Sequence, residues 1–585
     1  MATALTLATG SALLSAPTAT ALTGSAKTSK VEARRVDSVK TPRLGWYTCY
    51  SYAQCAIVKL PRDYDHPNGT KVEVALLRVK ARDQRHKIGS LFVNPGGPGG
   101  SATELAYNAP SFLGSDILDR FDIVGMDPRG TNFSDQVACF PDAGKQATVL
   151  ADLSIPFPVT SAEEHAFIRG SKRLGRACSS AGRPLSASMS TAEVARDMDV
   201  IRRAVGDRRL TYLGFSYGTY LGQVYANLFP DRVRALAIDG VVDPVAWAGT
   251  RSTRNRPETD RIRSADGATK ALHEILVRCD RAGGTRCSFA PGNPVANFDL
   301  IARRLRSKPL VETDPFTGEV FRFGYAELVS SVLGMLYDPM GYAYISDMLS
   351  QLIIMTEPPA ATAKAASVRK AAAKRRATAT RRLVKILDRQ RQQAKPRQID
   401  PGRTLTSRFG FPYDNSLEAF TTVLCTDSVN PISAESWPAA ADAADRRAKY
   451  FGRAWIWSSA PCARRTWTAG DEDGYHGPFN RATLGPVLVV GNLWDPATNF
   501  AGARKAAALL PNSRLLTSDS WGHTAYGTSA CVTTAMESFL LKVRLPARGK
   551  RCVGDIQPFR DDTGNGSGSV QRLLRPVGRI TPLGG

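Results

Sequence analysis

Apolar positions between residues 72 and 238 follow two alternating rhythms. Residues 72–79, 89–93, 121–126, 209–214 and 233–238 are short apolar runs with the length and composition of buried strands. Between the last three of these, residues 191–205 place Val194, Met198, Ile201 and Val205 at helical spacing, and residues 217–228 predict a second helix. Strands that alternate with helices predict a parallel α/β sheet. From about Pro244 the rhythm changes, and residues 250–480 read as mostly helical, interrupted by Pro and Gly. The strand pattern returns at 486–490 and 513–517. The expected organisation is one α/β domain split by a helical insertion. It has a leader over 1–40, a first core part over 41–245, a helical cap over 246–480 with a basic insert over 360–400, a second core part over 481–557 and a tail over 558–585. No repeat of the solenoid kind interrupts this pattern.

With 585 residues, 43% hydrophobic and 22% charged, the chain can bury a large core and is not a disordered polyelectrolyte. The net charge of +24 is unevenly placed: residues 364–397 hold 13 Lys/Arg and a single acid, Asp388, so half of the excess sits in one segment. Its Ala, Arg, Lys and Gln content predicts an exposed helix or a mobile insert. The run has no aromatic residue for base stacking, so no specific nucleic-acid partner is expected. A solvated face fits best, with weak polyanion or cell-wall association as the functional alternative. No run of 18 apolar residues occurs, so no membrane span is expected. The N-terminus is rich in Ala, Thr, Leu and Ser and has an A-x-A-like site at 19–21, but its first Lys is Lys27. It reads as a degenerate or mis-started export signal, against the plainer reading of a disordered tail.

Ten cysteines fall into near-neighbour pairs along the chain: Cys49/Cys55, Cys139/Cys178, Cys279/Cys287, Cys425/Cys462 and Cys531/Cys552. No C-x-x-C occurs, so zinc and thioredoxin-type chemistry have no support, and neither metal nor cofactor is expected. Local disulfides in a secreted protein account for the count better than ten reduced thiols.

Gly214-Phe-Ser216-Tyr-Gly218 is a G-x-S-x-G at the point where a strand hands over to a helix, the context in which that motif exposes a nucleophilic serine. The serine needs a base and the base needs an orienting carboxylate, in the chain order Ser, acid, His. Of six histidines, His523 follows the two late strands in a small-residue loop, and Asp495 directly follows the 486–490 strand. Acid and base then sit at the carboxyl ends of neighbouring strands, where sites in open parallel sheets form. Taken singly, His523 could be an idle loop histidine and Asp495 a helix cap before Pro496; His476 is the fallback base. The run 95–100, Pro-Gly-Gly-Pro-Gly-Gly, ends an early strand, so Gly97 and Tyr217 are the expected backbone donors to an oxyanion. A phosphate-binding loop is the rival reading, but no G-K-[ST] follows.

Together, 94–101 (Asn-Pro-Gly-Gly-Pro-Gly-Gly-Ser), 127–131 (Asp-Pro-Arg-Gly-Thr), 196–199 (Arg-Asp-Met-Asp), the stretch 214–222 around Ser216 and 495–498 (Asp-Pro-Ala-Thr) resemble the α/β-hydrolase peptidases of the tripeptidyl aminopeptidase/proline iminopeptidase group, the secreted actinobacterial members above all. The resemblance covers roughly residues 40–250 and 420–555. It implies an α/β-hydrolase fold with a large helical cap insertion and release of short peptides, tripeptides included, from free N-termini. It also implies lid carboxylates for the substrate ammonium, for which Glu418 and Asp427 are the candidates against the plainer reading of ordinary lid acids. Two positions depart from the group: Asn132 replaces a usual glycine and Asn499 a usual proline. An esterase or lipase on the same scaffold is the first alternative, and a polyanion- or cell-wall-binding protein with a vestigial site is the second. A dehalogenase or epoxide hydrolase is disfavoured because the turn carries a serine, not an aspartate.

Overall fold

A computed structural model describes residues 26–358, 366–394 and 414–560. The A-x-A site, most of the tail and both ends of the basic segment lie outside them. The strands are β1 (Tyr47–Cys49), β2 (Ala53–Pro61), β3 (Lys71–Val79), β4 (Gly89–Asn94), β5 (Phe121–Met126), β6 (Leu210–Phe215), β7 (Val233–Asp239), β8 (Leu310–Thr313), β9 (Val320–Phe323), β10 (Val487–Trp494), β11 (Ser513–Trp521) and β12 (Arg551–Val553). Ten form one sheet in the order β1-β2-β3-β5-β4-β6-β7-β10-β11-β12, and β8–β9 is a separate hairpin. From β5 to β12 all neighbours are parallel, while β1, β2 and β3 add antiparallel pairs at the other edge. The central strands are covered on both faces, which is why they are legible as continuous apolar runs.

Helices Thr191–Ala204 and Tyr217–Leu228 pack against each other on one face of this sheet. The buried core there includes a charged cluster. Arg129 is fully buried and grips Asp197 with two bonds of 2.6 and 2.8 Å; it reaches Glu193 at 3.0 Å and donates to the carbonyls of Pro61 and Arg62. Arg196 pairs with Glu193 and, bidentately, with Glu32. The expected leader over 1–40 therefore contains a docked helix, Lys30–Asp37. Such buried guanidiniums hold only because their donors and the facing carboxylates are mutually satisfied.

Between β7 and β10 the described chain is helical apart from the β8–β9 hairpin. The basic segment is a helix, Ala366–Ala394, packed against Gly341–Met355. It is more than an exposed helix: Ala379, Leu383, Val384 and Leu387 are buried, which gives it one apolar seam. Five disulfides join Cys49–Cys55, Cys139–Cys178, Cys279–Cys287, Cys425–Cys462 and Cys531–Cys552, and no described cysteine is free. Among the described residues no helix is long and apolar enough to cross a membrane, and no His/Cys/Asp/Glu group could hold a metal.

Candidate active site

Ser216 sits between β6 and the helix Tyr217–Leu228 with φ 55° and ψ −128°, a backbone region costly for a residue with a Cβ, on the order of 1–3 kcal/mol. The turn is tight enough to dictate its neighbours. A Cβ on Gly214 would lie 2.6 Å from the Gly218 carbonyl, and one on Gly218 would lie 2.7 Å from Asn94 Oδ1. The Ser216 hydroxyl does not cap the helix behind it.

The glycine-rich loop after β4 lies directly against this turn. Gly96 has φ 93°, and a Cβ there would meet Phe215 O at 2.5 Å, Tyr217 N at 2.8 Å and Ser216 Cβ at 2.9 Å. Gly96 N–H is held by Asn94 Oδ1 at 2.9 Å. Asp127, at the end of β5, accepts from Thr103 N, Thr103 Oγ1 and Ser101 Oγ, which fixes the far end of the loop. The glycine packed against Ser216 and the first N–H of the helix, Tyr217, is thus Gly96, one residue before the expected donor Gly97. Asn132 has φ 46°, which explains why glycine also suits that position, and its side chain donates to Gly99 O at 3.0 Å. Asn499, with φ −51° within the range of proline, caps helix Phe500–Leu509.

Asp495 follows β10, and His523 follows β11 by two residues. His523 Nδ1 lies 2.9 Å from both oxygens of Asp495. The carboxylate also accepts from Ala497 N (2.8 Å), Thr498 N (2.8 Å), Thr498 Oγ1 (2.8 Å) and Thr524 N (3.2 Å). Burial alone would raise the pKa of Asp495, but the imidazole and these donors hold it below the ordinary value. Burial likewise pushes His523 down, and the Asp495 charge overcomes this, leaving the imidazole above its ordinary value. His523 Nε2 has no hydrogen-bond partner among the described residues, Ser216 Oγ included. His476 is exposed and is not part of the Asp495 cluster.

Asp239, at the end of β7, escaped sequence reading because it is an acid inside an apolar strand with no motif around it. Its carbonyl accepts the Ser216 N–H at 3.0 Å, and its Oδ2 accepts Ala525 N at 2.8 Å and Tyr526 N at 2.7 Å. A Cβ on the following Gly240 would lie 3.2 Å from His523 Cε1 and 3.2 Å from Thr498 Oγ1. One residue thus ties the serine turn to the histidine loop. Its other oxygen is buried without a partner, and burial pushes its pKa up to about 6. The cap adds a second tie: His523 N–H donates to Tyr337 O at 3.0 Å, and the Tyr337 ring stands edge-on to the imidazole at 5.2 Å.

Both oxygens of Glu418 face inward: it accepts from Cys139 N (2.7 Å) and Gln146 Nε2 (2.9 Å), fastening its helix to the Cys139 loop and to helix Ala143–Leu150. Asp427 is buried closer to the serine turn. It accepts from Thr191 N (2.7 Å), Thr191 Oγ1 (2.6 Å) and Trp247 Nε1 (3.2 Å), and the Thr191 hydroxyl in turn bonds the Tyr217 hydroxyl. Burial pushes Asp427 up to about 7. Glu258, beside it electrostatically, is pushed by burial to about 8, and its two oxygens have no hydrogen-bond partner.

Residues 89–256 match the alpha/beta hydrolase fold family, and residues 448–552 match the family described as TAP-like protein. The chain is 28% identical over 516 residues to a tripeptidyl aminopeptidase of Streptomyces lividans, covering 86% of this chain and 84% of that one. It is 28% identical to the serine protease Hip1 of Mycobacterium tuberculosis (87% and 92% covered) and 30% identical over 540 residues to carboxylesterase B of the same organism (88% and 91%). With relatives of this similarity along nearly its whole length, and a serine on the strained turn that the fold uses for its nucleophile, the chain belongs to the tripeptidyl-aminopeptidase-like group of α/β serine hydrolases.

Proposed function

We propose that the protein is a secreted serine exopeptidase that releases short peptides, tripeptides included, from free N-termini through an acyl-enzyme. What supports the chemistry is the Asp495–His523 pair at the ends of adjoining strands, tied through Asp239 to the strained turn that carries Ser216. Asp495 fixes the Nδ1–H tautomer of His523 and leaves Nε2 to take a proton. Ser216 Oγ attacks the carbonyl as His523 accepts its proton, and the oxyanion forms against the N–H groups of Gly97 and Tyr217. His523 then protonates the leaving amine, and water attacks the acyl-enzyme by the same route. Seating of substrate brings the serine hydroxyl to Nε2, since such contacts tighten in the Michaelis complex.

The peptidase reading rests on the tripeptidyl aminopeptidase and Hip1 relatives, and secretion on the five disulfides, which suit an oxidising compartment. Asp427 is the acid proposed for the substrate ammonium, because it backs the Tyr217 wall of the site. Glu418, which holds Cys139 N and Gln146, is assigned the structural role. The carboxylesterase B relative supports a second reading, ester hydrolysis by the same three residues. The deciding experiment compares a tripeptidyl arylamide, its N-blocked form and a simple aryl ester. A preference for the free amine, lost with Ser216→Ala and weakened through KM by Asp427→Asn, supports the exopeptidase; faster turnover of the aryl ester than of either arylamide overturns it. Fluorophosphonate labelling anywhere but Ser216 refutes the site itself.

A further inference from the structure

The helix Ala366–Ala394 carries far more positive charge than its fold uses. At 3.6 residues per turn, Lys370, Lys374, Arg381, Arg382, Lys385 and Arg389 fall within one arc of about 120°, over about 28 Å of helix. All six are exposed, and they face away from the seam made by Ala379, Leu383 and Leu387. The one acid of the helix, Asp388, pairs with Arg391 at 3.2 Å, and Arg376 turns aside to Glu312 and the Met355 carbonyl. Lys370/Lys374, Arg381/Lys385 and Lys385/Arg389 are like charges four residues apart, a spacing that works against the helix unless an anion answers it.

The β8–β9 hairpin meets this face. Its turn residue Phe316 is 56% exposed, and Lys385 Nζ sits 5.5 Å from the ring centroid. Val311 and Val320, exposed at 65% and 69%, share one side of the hairpin by its register, Val311 opposite Arg322 and Val320 opposite Thr313. Large apolar side chains set beside an unanswered row of cations match the requirements of an anionic lipid surface: phosphate for the cations and a shallow apolar layer for the tip. A soluble polyanion would answer the cations alone. The helix cannot insert its own apolar side, because helix Gly341–Met355 covers that seam.

We propose that this face, the cationic arc of Ala366–Ala394 with the Phe316 tip, docks the enzyme peripherally on anionic bilayers. The full chain is floated with phosphatidylglycerol/phosphatidylcholine vesicles and with pure phosphatidylcholine vesicles, at low and high salt. Binding to the anionic vesicles alone, released by salt, is expected. Each basic side chain at an anionic surface raises partitioning roughly five-fold, so the variant R381Q/R382Q/K385Q/R389Q should bind less by a factor in the hundreds. The charge-matched variant K542Q/R544Q/R548Q/K550Q, altered at exposed residues elsewhere, should bind within about ten-fold of the parent. Phe316→Ser should lower binding by roughly ten-fold without changing its salt dependence. Equal losses in the two charge variants, no effect of Phe316→Ser, or binding to linear polyphosphate or an oligonucleotide without binding to vesicles would each overturn the proposal. If the quadruple variant fails to label with fluorophosphonate, Phe316→Ser and the salt titration of the parent decide the matter.

Discussion

Replacing Asp239 tests the geometry of the site more sharply than replacing a reacting group. The side chain holds the N–H groups of Ala525 and Tyr526, and the backbone of the same residue holds Ser216. Asp239→Ala leaves two buried donors unpaired, at about 1–3 kcal/mol each. It also removes a carboxyl whose pKa of about 6 lies above the ordinary aspartate value, so the native state binds this proton more tightly than the unfolded chain. That group therefore withdraws stability as pH rises from about 4 to about 6, reaching about 3 kcal/mol above that window. From pH 5 to pH 8 the wild type should lose about 1.4 kcal/mol through this group. Asp239→Ala and Asp239→Asn should not, so their stability deficits shrink by that amount over the same interval. Activity separates the two variants. Asparagine still accepts at the histidine loop and should stay within about ten-fold in kcat/KM, whereas alanine frees the loop and should cost roughly 100-fold, the usual penalty for a displacement of about 1 Å. Denaturant melts at pH 5 and 8, with arylamide kinetics and the rate of fluorophosphonate labelling, supply the readouts. An Asp239→Ala enzyme with parental kcat/KM, or a stability gap that does not change with pH, would refute the reasoning.

Asp495→Asn should drop kcat by about 10⁴ and move the acidic limb of the pH profile to lower pH, because the carboxylate charge is what raises His523; a pH–rate series checks both. Gly96→Ala should abolish turnover and labelling, since the added methyl would meet Phe215 O at 2.5 Å. Arg196→Met removes the bidentate partner of the buried Glu32 and one of the two guanidinium partners of Glu193, and should destabilise by about 3 kcal/mol in denaturant melts. Asn132→Gly should change stability by less than about 1 kcal/mol, the lost bond to Gly99 O offset by relief of a left-handed backbone.

Legibility in the sequence followed burial. β4 to β7 and the paired ends at Asp495 and His523 were readable because strands covered on both faces give unbroken apolar runs, and their carboxyl ends are where chemistry collects. β1 and β12, three residues each, are too short to carry a period, and β8–β9 exposes its valines, so its pattern does not announce a strand. Helix Lys30–Asp37 falls inside the expected leader because its key contact is an ion pair, Glu32 with Arg196, which only the fold assembles. Tyr337 was silent because its hydrogen bond passes through a backbone carbonyl, which any residue could supply, and Asp239 because its carboxylate answers backbone N–H groups of a loop far along the chain.

The cap carbonyl that receives the His523 N–H makes the lid part of the base's seat. Because Tyr337 and Pro339 also press on Gly522, any displacement of that corner would displace the imidazole with it. The position of the lid and the readiness of the base for proton transfer are then set by the same few atoms.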